Sequence, residues 1–214
     1  MDDKGRPSWA STEIERHYYD TEWGMPVTDE VGVFERLSLE VFQCGLAWRT
    51  VLTKREALRA AFADFRPDRI ARFTAVDVDR LLATPGIIRN RRKIIAIIGN
   101  AHATLDLRET PPPGPTSPGR VEAGLPAFLW SYRERSPAPA TEADIPVTTP
   151  LARQAATDLK AAGFSHLGPV TTYAAMSAIG IVNNHLAHSW RREPVARAIA
   201  LVTGESQQED EAET

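Results

Sequence analysis

Apolar side chains recur every three or four residues through most of this 214-residue chain. That spacing lines one face of a helix and scatters over both faces of a strand, so it confines the chain to helices. One series is Val33, Phe34, Leu37, Val41 and Cys44, opened by Thr28-Asp29-Glu30; another, from Arg91, is Ile94, Ile97, Ile98, Ala101 and Leu105. Between them, Thr50 to Phe65 carries Leu52, Leu58, Ala61, Phe62 and Phe65 on one side, and Arg66-Pro67-Asp68 starts a short helical turn. Thr74-Ala75-Val76-Asp77 has the form of a capping box for a helix through Leu82, ended by Pro85-Gly86. Later helices are predicted at Pro126 to Arg133, from Pro150 behind an N-cap Thr149 to Ala162 with Gly163 as its stop, at Tyr173 to Ile179, and at Glu193 to Val202. The prolines and glycines from Pro111 to Gly119 forbid regular structure, so residues 109–121 read as an exposed loop. The expectation is an all-α chain in which residues 1–203 form one helical unit and the acidic stretch 204–214 is disordered.

The first quarter concentrates large rings: Trp9, Tyr18, Tyr19, Trp23 and Trp48. Rings grouped in this way serve either as core or as the wall of a pocket for a flat ligand. Glu40 bears on that choice, because it sits three residues after Leu37 and four before Cys44, on or beside the apolar stripe. A carboxylate there must be hydrogen-bonded, paired or neutral, since burying a bare charge costs several kcal/mol. Two readings stand: a salt bridge to an Arg elsewhere, or a functional carboxylate at the lip of an aromatic pocket.

Hydrophobic residues at 43%, charged residues at 25% and a mean hydropathy of −0.29 suit a soluble folded protein, with no run long enough for a membrane span. The lone Cys44 cannot form an internal disulfide, and Met1-Asp2-Asp3-Lys4-Gly5 offers no apolar signal region, so a cytoplasmic location is expected. The formal charge of −3 becomes +2 once the tail's five acidic residues are set aside, which neither demands nor excludes an anionic partner.

Two features could meet nucleic acid. Arg89, Arg91, Arg92 and Lys93 crowd the start of the isoleucine helix, where cations oppose the helix dipole; they either wait for a phosphate or form a solvated basic face. In the stretch from Leu159 to Thr172 one helix ends at Gly163, a turn passes Gly168, and another helix begins, so backbone N–H groups stand ready for a phosphate. Such helical hairpins are common, and this one is weak evidence by itself.

Taken in order, Tyr18-Tyr19-Asp20-Thr21-Glu22-Trp23-Gly24, Leu39-Glu40, Gly45-Leu46-Ala47-Trp48, Gly86-Ile87-Ile88-Arg89-Asn90-Arg91, Gly99-Asn100-Ala101, Phe128-Leu129-Trp130 and Gly180-Ile181-Val182-Asn183-Asn184-His185 carry a resemblance. From about Trp9 to His185 the chain resembles the 3-methyladenine DNA glycosylase I family. The resemblance implies the helix-hairpin-helix DNA glycosylase fold, with the hairpin at Gly163 to Thr171 and a lesion pocket between two lobes. It implies a monofunctional enzyme, without lyase activity, that flips 3-methyladenine out of double-stranded DNA and hydrolyses its glycosidic bond. By the same carry-over Glu40 accepts hydrogen bonds from the base edge, and Tyr18, Trp9, Trp23 and Trp48 surround it. Gly45-Leu46 plugs the gap in the duplex. Gly168, Val170 and Thr171 hold a backbone phosphate, helped by Arg89, Arg91 and Arg92. A monomer with no membrane contact is expected. The alternatives are a glycosylase for other or bulkier alkyl-purines and a non-catalytic DNA-binding relative.

Two departures accompany the resemblance. Many relatives in the wider superfamily place a catalytic aspartate after the hairpin, and here that position reads Asn183. The family's structural zinc is held by Cys and His, and the corresponding positions here are about Pro7, Tyr19, His185 and Ser189. With only His185 left, no cofactor is expected, and packing should replace the metal in tying the ends together. Pro169 also removes one amide from the hairpin turn.

Overall fold

The computed structural model describes residues 5–110, 120–135 and 137–204. The core of the expected proline-rich loop, 111–119, and the acidic residues 205–214 lie outside the described residues. Among the described residues all regular structure is helical, as the apolar spacing predicts, and no helix is long and apolar enough to cross a membrane.

The chain is organised around α2 (Glu30–Gln43), which packs against α3 (Trp48–Ala61), α6 (Arg91–Leu107), α7 (Leu125–Trp130) and α9 (Pro169–Ile179). Asp29 caps α2 by accepting the Gly32 amide at 2.8 Å. The spacing predicts an amphipathic α2, yet every residue from Val33 to Phe42 is buried, including Glu35, Arg36, Ser38 and Glu40. A helix enclosed on all sides carries its polar groups into the interior, where each needs a partner or a function.

An additional helix, α1 (Glu13–Thr21), not among those the apolar spacing predicts, precedes it and is started by the capping box of Thr12 with Glu15. The helix expected through Phe65 ends at Ala61. Beyond it Ala63, Asp64 and Phe65 take left-handed φ values of 52°, 56° and 53°, which turns Phe65 back to stack on Phe62 with ring centroids 5.8 Å apart. The packed pair offsets a backbone region that side chains disfavour. α4 (Pro67–Ile70), α5 (Ala75–Ala83) with the Thr74–Asp77 box, and α10 (Arg192–Thr203) follow the predicted pattern. α7 is shorter than predicted, and α9 begins four residues before Tyr173 because Pro169 occupies its first turn.

α8 (Pro150–Ala161) and α9 form the hairpin. Gly163 ends α8 with φ +96°, and the turn is tied to α6 by Asn100, whose side chain accepts the Ser165 amide at 2.8 Å and donates to the Ser165 carbonyl at 3.2 Å. This buried amide fixes the hairpin against the core helix that follows the basic cluster.

Candidate active site

A cavity of about 460 Å³ opens where α2, α9 and the N-terminal segment meet. Glu40 and Gln43 reach it from α2, Trp48 from the start of α3, Pro7 and Trp9 from the N-terminal segment, and Tyr19 and Trp23 from α1 and the turn after it. The opposite wall is Val170, Tyr173, Ala174 and Ser177 of α9, with Asn184 and the loop Glu142 to Val147.

Glu40 is 7% exposed, and among the described residues no hydrogen bond ends on its carboxylate. Burial pushes its pKa up to about 8, against the opposing pull of the Arg36 guanidinium. The salt-bridge alternative therefore has no partner here, because Arg36 donates to Glu22 instead, at 2.8 Å. What remains is a buried carboxyl group with open acceptor positions beside a cavity.

Trp9 and Trp48 meet their neighbours at a tilt, whereas Tyr19 and Trp23 stack with centroids 5.6 Å apart at 23°. Trp48 lies 5.3 Å from Tyr18 at 57°, Trp9 lies 5.7 Å from Trp23 at 67°, and Trp9 lies 6.5 Å from Tyr18. Such tilted contacts leave faces available to a flat ligand. Trp9, Trp23 and Trp48 line the cavity, whereas Tyr18, expected beside Glu40 against the base, is not among its lining residues. Tyr18 is almost fully enclosed; its hydroxyl is buried without a partner, and burial holds its pKa up at about 12.

Under Tyr18 runs an ion-pair ladder that the sequence reading missed. Arg36 and Arg55 stand 5.5 and 6.0 Å from the Tyr18 ring centroid. Glu22 accepts from both arginines, and Glu35 accepts from Arg55 at 2.8 Å and from Arg59 at 2.7 Å. Its signal was legible in Arg55 and Arg59, one turn apart on α3, facing a charged pair on the α2 stripe. Also missed were Gln43 and the polar group on the far wall, where Asn184 donates to Ser177 Oγ at 2.8 Å and bonds the Tyr173 hydroxyl.

At the mouth, Gly45 has φ +77° and open space where a Cβ would stand, and Leu46 is 38% exposed. Lys93 is buried beneath this turn and donates to the carbonyls of Phe42 at 2.7 Å and Cys44 at 2.6 Å. This corrects the reading of Lys93 as one of the cations free for phosphate. Arg89 and Arg92 are exposed, but Arg91 pairs with Asp79 at 2.6 Å, and the Asn90 side chain already caps the first amides of α6.

In the hairpin, His166 takes the left-handed φ of 60°, while Gly168 is extended with nothing near its absent Cβ. The turn thus places its tight bend two residues earlier than expected. Val170 and Thr171 lie in the first turn of α9, where amides have no intrahelical acceptor. Thr171 Oγ1 meets Cys44 Sγ at 3.5 Å, which brings the hairpin beside the Gly45-Leu46 turn.

Asn183 does not line the cavity; its side chain donates to the Arg192 carbonyl and accepts the His185 amide. At the family's zinc positions, the Tyr19 and Ser189 hydroxyls bond each other at 2.8 Å, and Pro7 lines the cavity. His185 Nδ1 is occupied by Asn183 at 2.9 Å, and its ring packs at an angle against both Tyr19 and Trp23. Burial, with Arg191 and Arg192 nearby, lowers its pKa to about 3, so the imidazole is neutral. Its Nε2 is buried without a partner, yet one imidazole and two hydroxyls that bond each other do not make a tetrahedral zinc site. Among the described residues no group of three or more His, Cys, Asp or Glu side chains is placed to hold a metal.

Residues 9–192 match the methyladenine glycosylase family. The chain is similar to DNA-3-methyladenine glycosylase 1 of Escherichia coli (strain K12), 38% identical over 85% of this chain and 93% of that protein. It is similar also to DNA-3-methyladenine glycosylase of Haemophilus influenzae, 37% identical over 79% and 87%. Its fold superposes with a TM-score of 0.77 on a crystal structure of 3-methyladenine DNA glycosylase I, at 38% identity over 86% of this chain and 98% of the other. It does so equally, at 32% identity over 85% and 94%, on a variant of a 3-methyladenine DNA glycosylase I in complex with 3-methyladenine. With the family's sequence pattern and its all-helical fold both present, the chain belongs to the methyladenine glycosylase family.

Proposed function

We propose that this chain is a DNA-3-methyladenine glycosylase, a base-excision repair enzyme that removes the alkylated base from double-stranded DNA. The observation that carries the reading is Glu40, a buried carboxyl with no internal partner, set in a cavity walled by Trp9, Trp23 and Trp48.

An N3-methylated adenine in DNA carries positive charge, and its glycosidic bond is correspondingly weak. The flipped ring enters between aromatic faces, which favour the cation over neutral adenine by about 1–2 kcal/mol when desolvated. A cation in the cavity also lowers the cost of ionising Glu40, whose carboxylate then accepts from the donor edge of the base. The C1′–N bond breaks with its electron pair returning to the ring, which leaves as neutral base. Water adds at C1′ and gives up a proton to solvent, leaving an abasic sugar. No carboxylate at position 183 is needed to stabilise the sugar cation for so labile a substrate. The buried Lys93 amine, engaged with two carbonyls, is not on the cavity wall, in keeping with a monofunctional enzyme.

Gly45-Leu46 fills the gap left in the duplex. The first-turn amides of Val170 and Thr171, the Gly168 turn and the exposed Arg89 and Arg92 meet phosphates. Residues 1–203 act as one monomeric, cytoplasmic helical unit with the pocket between two lobes. No cofactor is required, since the Tyr19–Ser189 bond stands where relatives have metal ligands. Free base released from methylated DNA, separated by chromatography, tests the assignment: 3-methyladenine should be the main product, and an absence of released base would refute it.

A further inference from the structure

Arg36 is a buried cation in excess of what the ion-pair ladder needs. It is 9% exposed on the central helix, one turn before Glu40. Only its Nη2 is engaged, with Glu22; its Nε and Nη1 are buried with no partner. Arg55, by contrast, reaches both Glu22 and Glu35. Leaving two guanidinium nitrogens unpaired in the interior is costly, and an apolar side chain of similar length would avoid the cost. A compensating interaction must therefore lie elsewhere. The guanidinium carbon lies 5.5 Å from the centroid of the Tyr18 ring, and its charge acts on Glu40 against burial. The other ionisable groups around this corner do not replace it: Tyr18 stays uncharged, Glu22 and Arg55 neutralise each other beneath the Tyr18 ring, and Glu142, on the cavity wall, is bound by Ser8.

We propose that Arg36 is a positioning residue of the pocket: it holds the Tyr18 ring against Trp48 and favours the carboxylate form of Glu40, the form that accepts hydrogen bonds from a cationic base. This rests on the reading of Glu40 as the group that recognises the base.

The test is the pH profile of kcat/KM for release of 3-methyladenine from methylated duplex DNA, with the Glu40 carboxyl titrated in parallel by carbon NMR on the full chain. In Arg36→Met the rising limb and the Glu40 titration should move about one pH unit toward alkali, and excision at pH 7 should fall about tenfold. Arg36→Lys keeps the charge and should leave both nearly in place. In a Glu40→Gln background, Arg36→Met should add little. Should Arg36→Met fail to fold, Arg36→Gln supplies the same comparison. A limb and titration that stay put in the uncharged variant, or that move equally in Arg36→Lys, overturn the proposal. If wild type itself releases no base, the functional reading fails, while the Glu40 titration still decides the role of Arg36.

Discussion

The Tyr19 hydroxyl lies 2.8 Å from Ser189 Oγ, joining α1 to the segment before α10 across 170 residues of sequence. The Gly5 carbonyl reaches the same hydroxyl at 3.5 Å, so three distant segments meet at one buried oxygen.

If this bond ties the ends without metal, Tyr19→Phe or Ser189→Ala should lower stability by about 1–2 kcal/mol in urea unfolding. A chelator should leave the wild-type melting temperature unchanged. A clear drop on chelation would show a metal contribution after all.

Glu40→Gln keeps the shape of the side chain and replaces one acceptor with a donor, so the base edge meets a mismatch. Excision should fall roughly 10- to 1,000-fold, about 1.4–4 kcal/mol, with binding to undamaged duplex nearly unchanged. Wild-type rates in this variant would place Glu40 outside recognition.

Glu40 should also shape stability against pH. Its pKa is raised on folding, to about 8, so the folded state binds the proton more tightly than the unfolded chain. The associated stability is present below about pH 4.5 and is lost as pH rises through about 8. Glu40→Gln should remove that loss and gain about 1–4 kcal/mol over wild type near pH 9. Parallel denaturation curves at pH 5 and 9 check the sign; an equal difference at both would exclude a buried titrating carboxyl.

His185 works in the opposite direction. Its pKa is lowered to about 3, so the stability of the neutral imidazole is present above about 6.5 and is lost as pH falls toward 3. His185→Phe should resist acid unfolding better than wild type. Proton NMR showing a charged His185 at pH 6 in the folded protein would contradict this.

Arg92→Ala should flatten the slope of log affinity against log salt by about 0.9, as for one phosphate contact, while Arg91→Ala should change it less because Asp79 already holds that side chain. Equal effects would mean that the Arg91–Asp79 pair opens on DNA. Leu46→Ala should slow excision from duplex and spare the binding of free 3-methyladenine.

Much of the helical framework was legible locally. The Thr74–Asp77 box, Thr149-Pro150 and the isoleucine series of α6 announce themselves through neighbours three or four residues away, and the folded chain obeys them. The same grammar is present at Thr12 to Glu15, where the capping box starts α1. The end of α3 was not legible, since Ala63 to Phe65 turn left-handed only to stack Phe65 on Phe62.

Local sequence was enough for most of the helices, the aromatic cluster and the uncomfortable position of Glu40, because periodicity and the cost of a buried charge are properties of short stretches of chain. Which cations are free and which are spent depends on how the chain folds. Lys93 is drawn beneath the Leu46 turn, Arg91 is taken by Asp79, and Arg36 goes to Glu22 and leaves Glu40 open. Those outcomes depend on groups up to 51 residues apart in the chain meeting within 3 Å, and a hydrogen bond or ion pair is decided at that range, where sequence spacing carries no information.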